Sequence, residues 1–298
     1  MEQQRNSNGL SPELIEKVAR LELRARMIAD GLLSGMHRSP ERGFNIEFLE
    51  HREYYPGDDP RHIDWKVFAK TGRYFVKQHE EERNLNVHIV LDTSASMTAG
   101  GESGKWDHGF VISAALSYLF LKQGDAVGLV SAGPGESLDP GTSRNHLYRL
   151  LATLAKRRPE GRAGIAGTLT GIGDKLGRRS FVIVVSDLLE EPEPIRESLR
   201  AIRGRGAEIV IFHVLSSDEK SFPFTKAARF VDPESGKDLT IDPTAVRAAY
   251  MKNLSGFLEG YNAFCSGAGI DFVDAEVSRS PEEILLEYLE KRERRKRR

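Results

Sequence analysis

The sequence predicts an α/β fold. The expected form is a mostly parallel, Rossmann-like sheet with helices on both faces, entered through an N-terminal helix and β segment and carrying a small β-hairpin insertion. Three observations predict it. Apolar runs rich in β-branched residues recur at 85–91, 125–132, 181–185, 208–214 and 270–273, each of strand length. Amphipathic segments of helical period separate most of them, at 105–122, 144–157, 194–203, 243–266 and 281–292. The run Phe181-Val182-Ile183-Val184-Val185 has no polar residue, as a strand covered on both faces requires.

Taken in order, residues 1–10 are polar. Ser11-Pro12-Glu13 then starts a helix, with Ser as cap and Pro at the first helical position. The helix is expected to reach about residue 36, with Leu14, Val18, Leu21, Ala25, Ile28 and Leu32 on one stripe that docks on the chain's own body. Residues 43–83 read as extended and turn-rich. Phe44 to Phe48 alternates like a strand, residues 55–60 form a turn cluster, and residues 73–78 return as a second strand. The mixed charges there (Arg52, Glu53, Asp58, Asp59, Arg61, Asp64, Lys66) are expected to pair among themselves or face water, with a recognition face as the alternative.

Gly133-Pro134-Gly135 turns the strand at 125–132, and residues 136–138 return as an edge strand. Residues 161–168 form a glycine-rich loop leading into a short helix, and residues 216–242 interrupt the alternation with a hairpin turning at 233–236. The expected organisation is residues 1–83 as an N-terminal helix and β-rich segment, 84–292 as the α/β domain, and 293–298 as a basic tail. The tail reads as a solvated helix end whose cations suit the negative end of the helix dipole, with a polyanion contact as the alternative.

The bulk numbers exclude several classes. With 298 residues, 39% hydrophobic and 29% charged, the chain can bury a substantial core. A net charge of -1 argues against a polyanion, and so against specific nucleic acid, as partner of the whole molecule. The single cysteine, Cys265, rules out an internal disulfide and a multi-cysteine zinc site, and its helical context makes it a small buried side chain. No apolar run approaches the roughly 20 residues of a membrane span, and the N-terminus lacks an apolar signal core, so a cytoplasmic protein is expected.

The strand at 85–91 runs into Asp92, Ser94 and Ser96. One carboxylate and two hydroxyls at alternate positions can turn toward a point just beyond the strand end. They offer only oxygen, which suits a hard cation, Mg²⁺ first. The competing reading is an Asx turn with serine side chains capping the next helix. Asp187 ends the strand at 181–185, so parallel strands would bring it to the same sheet edge as Asp92. Two carboxylates there would repel, so Asp187→Asn is expected to raise stability without metal. The hydroxyl of Thr168 can approach the same point from the glycine-rich loop.

Asp-x-Ser-x-Ser after a strand resembles the metal-ion-dependent adhesion site of von Willebrand factor A domains. The resemblance implies a metal held by Asp92, Ser94, Ser96, Thr168 and Asp187. Thr170 is the alternative threonine, and Thr168 is preferred because it follows Gly167. The stretch Glu53-Tyr54-Tyr55-Pro56-Gly57-Asp58-Asp59-Pro60-Arg61-His62-Ile63-Asp64-Trp65 is similar to the signature upstream of such a domain in a bacterial family, the domain of unknown function numbered fifty-eight. The hairpin at 230–239 and the closing Tyr288-Leu289-Glu290-Lys291-Arg292 are similar too, and the resemblance covers about residues 42–292. It implies a Mg²⁺-dependent protein-binding module, an adaptor or co-chaperone for a MoxR-type AAA+ ATPase whose carboxylate completes the metal shell. Many members of that family begin with two membrane helices, where this chain has an amphipathic one.

Other chemistry fits less well. Gly101-Glu102-Ser103-Gly104-Lys105 departs from a phosphate loop, with Ala99 where glycine belongs and Trp106 where Ser or Thr belongs. A Mg²⁺-dependent phosphohydrolase would use Asp92, but Ser94 stands where the second carboxylate of that pattern belongs. No phosphate-gripping lysine is apparent near Asp92. A metal-free scaffold binding through residues 54–65 is the remaining class. The histidines lack metal-ligand spacing, and His88 and His213 are expected as core or edge residues of strands.

Overall fold

The strand at residues 86–92 has neighbours on both sides, and the whole main sheet is laid out from it. The protein is described here by a computed structural model covering residues 12–37, 51–54, 65–77, 84–99, 104–133, 135–162, 164–177 and 179–296. Two compact units are present, residues 36–84 on one side and residues 1–35 with 85–298 on the other.

In the larger unit the helix α1 (Pro12–His37) precedes the sheet. The chain then runs through β3 (Asn86–Asp92), a 3-10 turn (Ala95–Thr98), α3 (Lys105–Lys122), β4 (Ala126–Ala132), β5 (Leu138–Gly141) and α4 (Arg144–Lys156). It continues with α5 (Ile165–Gly173), β6 (Ser180–Ser186), α6 (Pro192–Gly204), β7 (Glu208–His213) and α7 (Ser217–Ser221). The hairpin β8 (Ala228–Val231) and β9 (Asp238–Ile241) follows, then α8 (Pro243–Ala268), β10 (Asp271–Asp274) and α9 (Pro281–Lys296).

The six main strands lie in the order β5-β4-β3-β6-β7-β10. All pair in parallel except β5, which returns antiparallel to β4 as an edge strand. That is the arrangement of doubly wound sheets, in which the chain builds outward on one side of its first strand and then crosses to the other. The crossing puts the switch point between β3 and β6.

Both faces of the sheet are covered, and the alternation along β6 shows how. Val182 and Val184 pack with Ile165 and Leu169 of α5, Ile195 and Leu199 of α6, and Cys265 of α8. Phe181 and Val185 point the other way. The Phe181 ring meets Phe120 of α3 edge-on at 5.6 Å, and a Cβ on Gly109 of α3 would stand 3.1 Å from Val185 Cγ1. Glycine at 109 therefore lets α3 lie close on the strand ends. Each fully buried Val, Ile or Phe contributes about 1.5–3 kcal/mol, so a one-residue slip of β6 would exchange two packed faces and is strongly opposed.

The stripe on α1 docks on the body, with Val18, Leu21, Ala25, Ile28 and Leu32 buried. Polar ties flank it. Lys17 Nζ donates to Ala155 O of α4 at 2.8 Å, and Lys122 of α3 pairs with Asp30 at 2.7 Å. The segment expected at 1–83 is thus divided, its helix grouping with the main body. Nor does the chain break at residue 293. The helix α9 continues to Lys296, and Arg295 pairs with Asp271.

In the smaller unit β1 (His51–Glu53) pairs antiparallel with β2 (Phe75–Lys77), with α2 (Trp65–Thr71) between them in sequence. Tyr74, itself 48% exposed, stacks on Phe68 at 4.4 Å and tilts toward Tyr54 at 6.3 Å, an aromatic cluster at the surface of a short segment. The helix α2 is not foreseen from the sequence, where this stretch reads as turn and strand. The strand expected at 44–48 and the turn cluster at 55–60 lie outside the described residues. Among the described residues no helix is long and apolar enough to cross a membrane.

Candidate functional site

The strand β3 ends at Asp92 and the strand β6 at Ser186, next to Asp187, at the same edge of adjacent parallel strands. Beyond Asp92 the chain tightens into the 3-10 turn, which folds Ser94 and Ser96 back over the strand end. The result is a buried patch of oxygen, with Asp92 and Asp187 each 1% exposed, Ser94 fully buried and Ser96 8% exposed.

One chain of hydrogen bonds joins these groups. The backbone N–H of Ser94 donates to Asp92 Oδ1 at 2.9 Å, and Ser186 Oγ donates to Asp92 Oδ2 at 2.6 Å. The Ser94 and Ser96 hydroxyls lie 2.8 Å apart, and Ser96 Oγ donates to Asp187 Oδ2, also at 2.8 Å. Asp92, Ser94, Ser96 and Asp187 are thus brought together. The turn after Asp187 is strained. Leu188 is a fully buried leucine with φ of 54°, and its N–H is held by Ser186 Oγ at 2.8 Å. Left-handed backbone at a non-glycine residue costs about 1–3 kcal/mol and persists only where surroundings impose it.

The threonines do not join. The loop reaches the site by its backbone, at Gly161, whose carbonyl accepts from Ala95 N at 2.9 Å. The helix α5 starts at Ile165, its first N–H capped by Glu190 Oε1 at 2.7 Å, so Thr168 sits inside the helix with its N–H committed to Gly164 O. Its side chain lines a cavity with Asn86, His88 and Lys175. Thr170 Oγ1 donates to Ala166 O at 3.0 Å and lies 3.0 Å from Ser198 Oγ of α6. Thr168, expected in the glycine-rich loop, lies within α5 because the helix already begins at Ile165.

Three groups that sequence reasoning missed complete the cluster. Ser186 binds Asp92, as described. Lys105, the first residue of α3, has a fully buried side chain whose ammonium lies 2.7 Å from Asp187 Oδ2 and 2.6 Å from Glu219 Oε1. A lysine therefore does stand at the site, contrary to expectation. Glu219 is held by a capping box on α7, with Oε2 accepting from Ser216 N at 2.8 Å and Ser216 Oγ accepting from Glu219 N at 3.2 Å. That box, Ser-x-x-Glu, is legible in the sequence. Nothing local signals that Lys105 meets Asp187, 82 positions away.

The electrostatics are unbalanced. The cluster holds three carboxylates, Asp92, Asp187 and Glu219, and the ammonium of Lys105 pairs with the last two. Burial and then the charge of Asp187 push the Asp92 carboxyl up to about 6, against the hydrogen bonds from Ser186 and Ser94. For Lys105 burial opposes the charge, but Asp187 and Glu219 outweigh it and raise the pKa. Asp187 is thus the paired carboxylate and Asp92 the strained one. Removing Asp187 takes one of two anchors from a buried ammonium and leaves it Glu219, so relief of repulsion is to be sought at Asp92. The expectation that Asp187→Asn raises stability is corrected accordingly.

Among the described residues no group of three or more His, Cys, Asp or Glu could hold a metal. The donors here are two carboxylates and two hydroxyls, and this all-oxygen set, with its charge excess, fits a hard divalent cation. His213 Nε2 donates to the backbone carbonyl of Asp187 at 3.0 Å, and His88 lines the cavity beside Thr168, both inside strands as expected.

Residues 50–256 match the family described as Protein of unknown function DUF58. The chain belongs to that family. It is 33% identical over 241 residues to the "Uncharacterized protein Rv1480" of Mycobacterium tuberculosis, covering 78% of this chain and 75% of that protein. Among solved structures it is similar to BatB from Bacteroides thetaiotaomicron, with a TM-score of 0.47, 14% identity, and coverage of 70% of this chain and 98% of that one. An aerotolerance-related membrane protein from Bacteroides fragilis gives a TM-score of 0.42 at 14% identity, covering 64% of this chain and 91% of that one. The motif at 53–65 falls within the DUF58 match, although residues 55–64 lie outside the described ones.

Proposed function

We propose that this DUF58 protein is a divalent-cation-dependent protein-binding module of the von Willebrand factor A type, acting as an adaptor or co-chaperone. The observation that carries the reading is the convergence of Asp92, Ser94, Ser96 and Asp187, buried and short of positive charge, beyond two adjacent parallel strands. That edge is where doubly wound sheets bind ligands. These four residues would hold the cation, and Mg²⁺ suits them best. Bound there, the metal would supply an open position for a partner's carboxylate.

The chain's own residues prepare that position. Ser186 and the Ser94 N–H fix the two oxygens of Asp92, and the Leu188 turn fixes Asp187. Leu189, 55% exposed two residues past Asp187, adds an apolar contact at the rim, which suits a protein surface. For the partner we take a MoxR-type AAA+ ATPase, supported by the motif resemblance at residues 53–65. Lys105 lends something to a phosphohydrolase reading. Its ammonium is fully buried between two carboxylates, however, and so is not free to grip a phosphate, which favours binding over turnover.

The test is capture of a purified MoxR-type ATPase by the full chain in Mg²⁺ and in EDTA, with wild type and Asp92→Ala. Capture in Mg²⁺ alone, lost in Asp92→Ala at unchanged circular dichroism, is the expected result. Undiminished capture in EDTA would sink metal dependence and favour a scaffold acting through residues 54–65. Mg²⁺-dependent hydrolysis of phosphate esters that disappears in Asp92→Asn would move the protein to the enzymes.

A further inference from the structure

We infer that Lys105 is a built-in competitor for the metal site. Its ammonium serves as counter-ion in the metal-free chain and must leave Asp187 before a divalent cation can bind. The inference rests on the metal-binding reading above and adds to it what sets the affinity.

Three features of the geometry point this way. First, Asp187 Oδ2 is already shared, with Lys105 Nζ at 2.7 Å and Ser96 Oγ at 2.8 Å, while Asp187 Oδ1 accepts from Leu189 N at 3.2 Å. A dication on the Asp187 carboxylate would meet the ammonium at contact range in a buried site, where like charges repel strongly. Second, the ammonium has a second anchor that is not one of the four proposed ligands, Glu219 Oε1 at 2.6 Å. Third, that anchor is fixed. Glu219 is tied by the capping box to Ser216, and its carbonyl accepts from Tyr250 OH of α8 at 2.7 Å. Lys105 can therefore release Asp187 and keep a full ion pair, with no unpaired charge left buried. The metal's net affinity is its intrinsic affinity less the broken Lys105–Asp187 contact.

The competition predicts opposite effects for the two partners of the ammonium. Mg²⁺ binding to the full-length, EDTA-stripped protein is measured by calorimetry and by thermal shift. Lys105→Met is expected to lower the metal-free melting temperature and to tighten Mg²⁺ binding by about ten-fold or more. Glu219→Gln leaves the ammonium to Asp187 alone and weakens binding several-fold. Lys220→Met is the control for general charge. Lys220 is the next residue of α7, but it pairs with Asp274 at 2.7 Å and Glu276 at 2.6 Å, and its loss leaves Mg²⁺ affinity unchanged.

Wild-type binding that Lys105→Met does not tighten, or that Glu219→Gln strengthens, overturns the competitor role and leaves the metal site standing. Absence of Mg²⁺ binding in wild type and Lys105→Met alike overturns the metal reading itself, and this inference with it. Should Lys105→Met fail to fold, the sign of the Glu219→Gln effect decides.

Discussion

The central strands carry a buried charged cluster at each end, and the two are built differently. At the amino ends of β6 and β7, Arg292 of α9 lies over the Phe181 ring at 4.3 Å, donates to Tyr288 OH at 3.0 Å and pairs with Glu208 at 2.5 Å. Burial opposes its charge, but Tyr288 and Glu208 outweigh it and raise its pKa. The direct partner of that cation, Glu208, is 54% exposed and half solvated, and Asp271 and the buried Asp125 act on it at longer range. At the carboxyl ends of β3 and β6, Asp92 and Asp187 are 1% exposed, and the ammonium of Lys105 pairs with Asp187 and Glu219. In the first cluster the cation has a solvated carboxylate as its direct partner. The second holds a carboxylate pushed up to about 6, an imbalance that folding alone does not require.

The sharpest way to break that contrast is to remove each aspartate in turn. Asp187→Asn leaves Lys105 paired with Glu219 but removes its contact with Asp187 and the charged acceptor of Ser96, and should cost about 1–3 kcal/mol in urea unfolding without metal. Asp92→Asn should go the other way. The folded-state pKa of Asp92 is raised to about 6, so near pH 5 the folded chain keeps a proton that the unfolded chain, titrating near about 4, has released. Its penalty is full above the folded pKa and fades as pH falls toward the unfolded one.

Asp92→Asn should therefore raise stability at pH 7 by about 3 kcal/mol, with most of the gain gone near about pH 4. His108, pushed down to about 4 by burial, loses stability for the fold as pH drops through the same window. It does so in both proteins, so the difference between wild type and Asp92→Asn isolates Asp92. If both aspartate variants change stability in the same direction, the assignment of paired and strained carboxylate is wrong.

A smaller effect is expected at the other end. Arg292→Met removes the Tyr288 hydrogen bond and the contact over Phe181, while Glu208 returns to water. A loss of about 1–2 kcal/mol in the same unfolding assay, without a Mg²⁺ component, would match a structural cluster. A loss that Mg²⁺ reverses would erase the distinction between the two ends. The smallest effect is expected for Thr168→Ala, within about 0.5 kcal/mol and with an unchanged Mg²⁺ thermal shift. A weakened Mg²⁺ response in that variant would put Thr168 back at the site.

Periodicity alone determined much of the larger unit. The run at 105–122 appears as α3 with the same bounds, and the run at 181–185 appears inside β6 with every residue buried. Strand length and β-branched content act over a few neighbouring residues, and so does the apolar stripe that docks α1. The meeting of Asp92 with Asp187 was also within reach, because parallel strands carry their ends to one edge. The 3-10 turn that folds Ser96 onto Asp187 follows from the same short stretch.

Only the tertiary structure decided the charge of that edge. Lys105 reads in the sequence as part of a failed phosphate loop, and Glu219 draws no reading there at all. Their pairing across Asp187 depends on where α3 and α7 start relative to the sheet, which no local pattern encodes. The threonine was misplaced for the related reason that Gly161 and Thr168 look equivalent as loop residues until α5 begins between them. Local propensity sets which elements form. A buried ion cluster depends on distances between elements far apart in the chain, and a shift of a few ångströms there separates a paired carboxylate from a strained one.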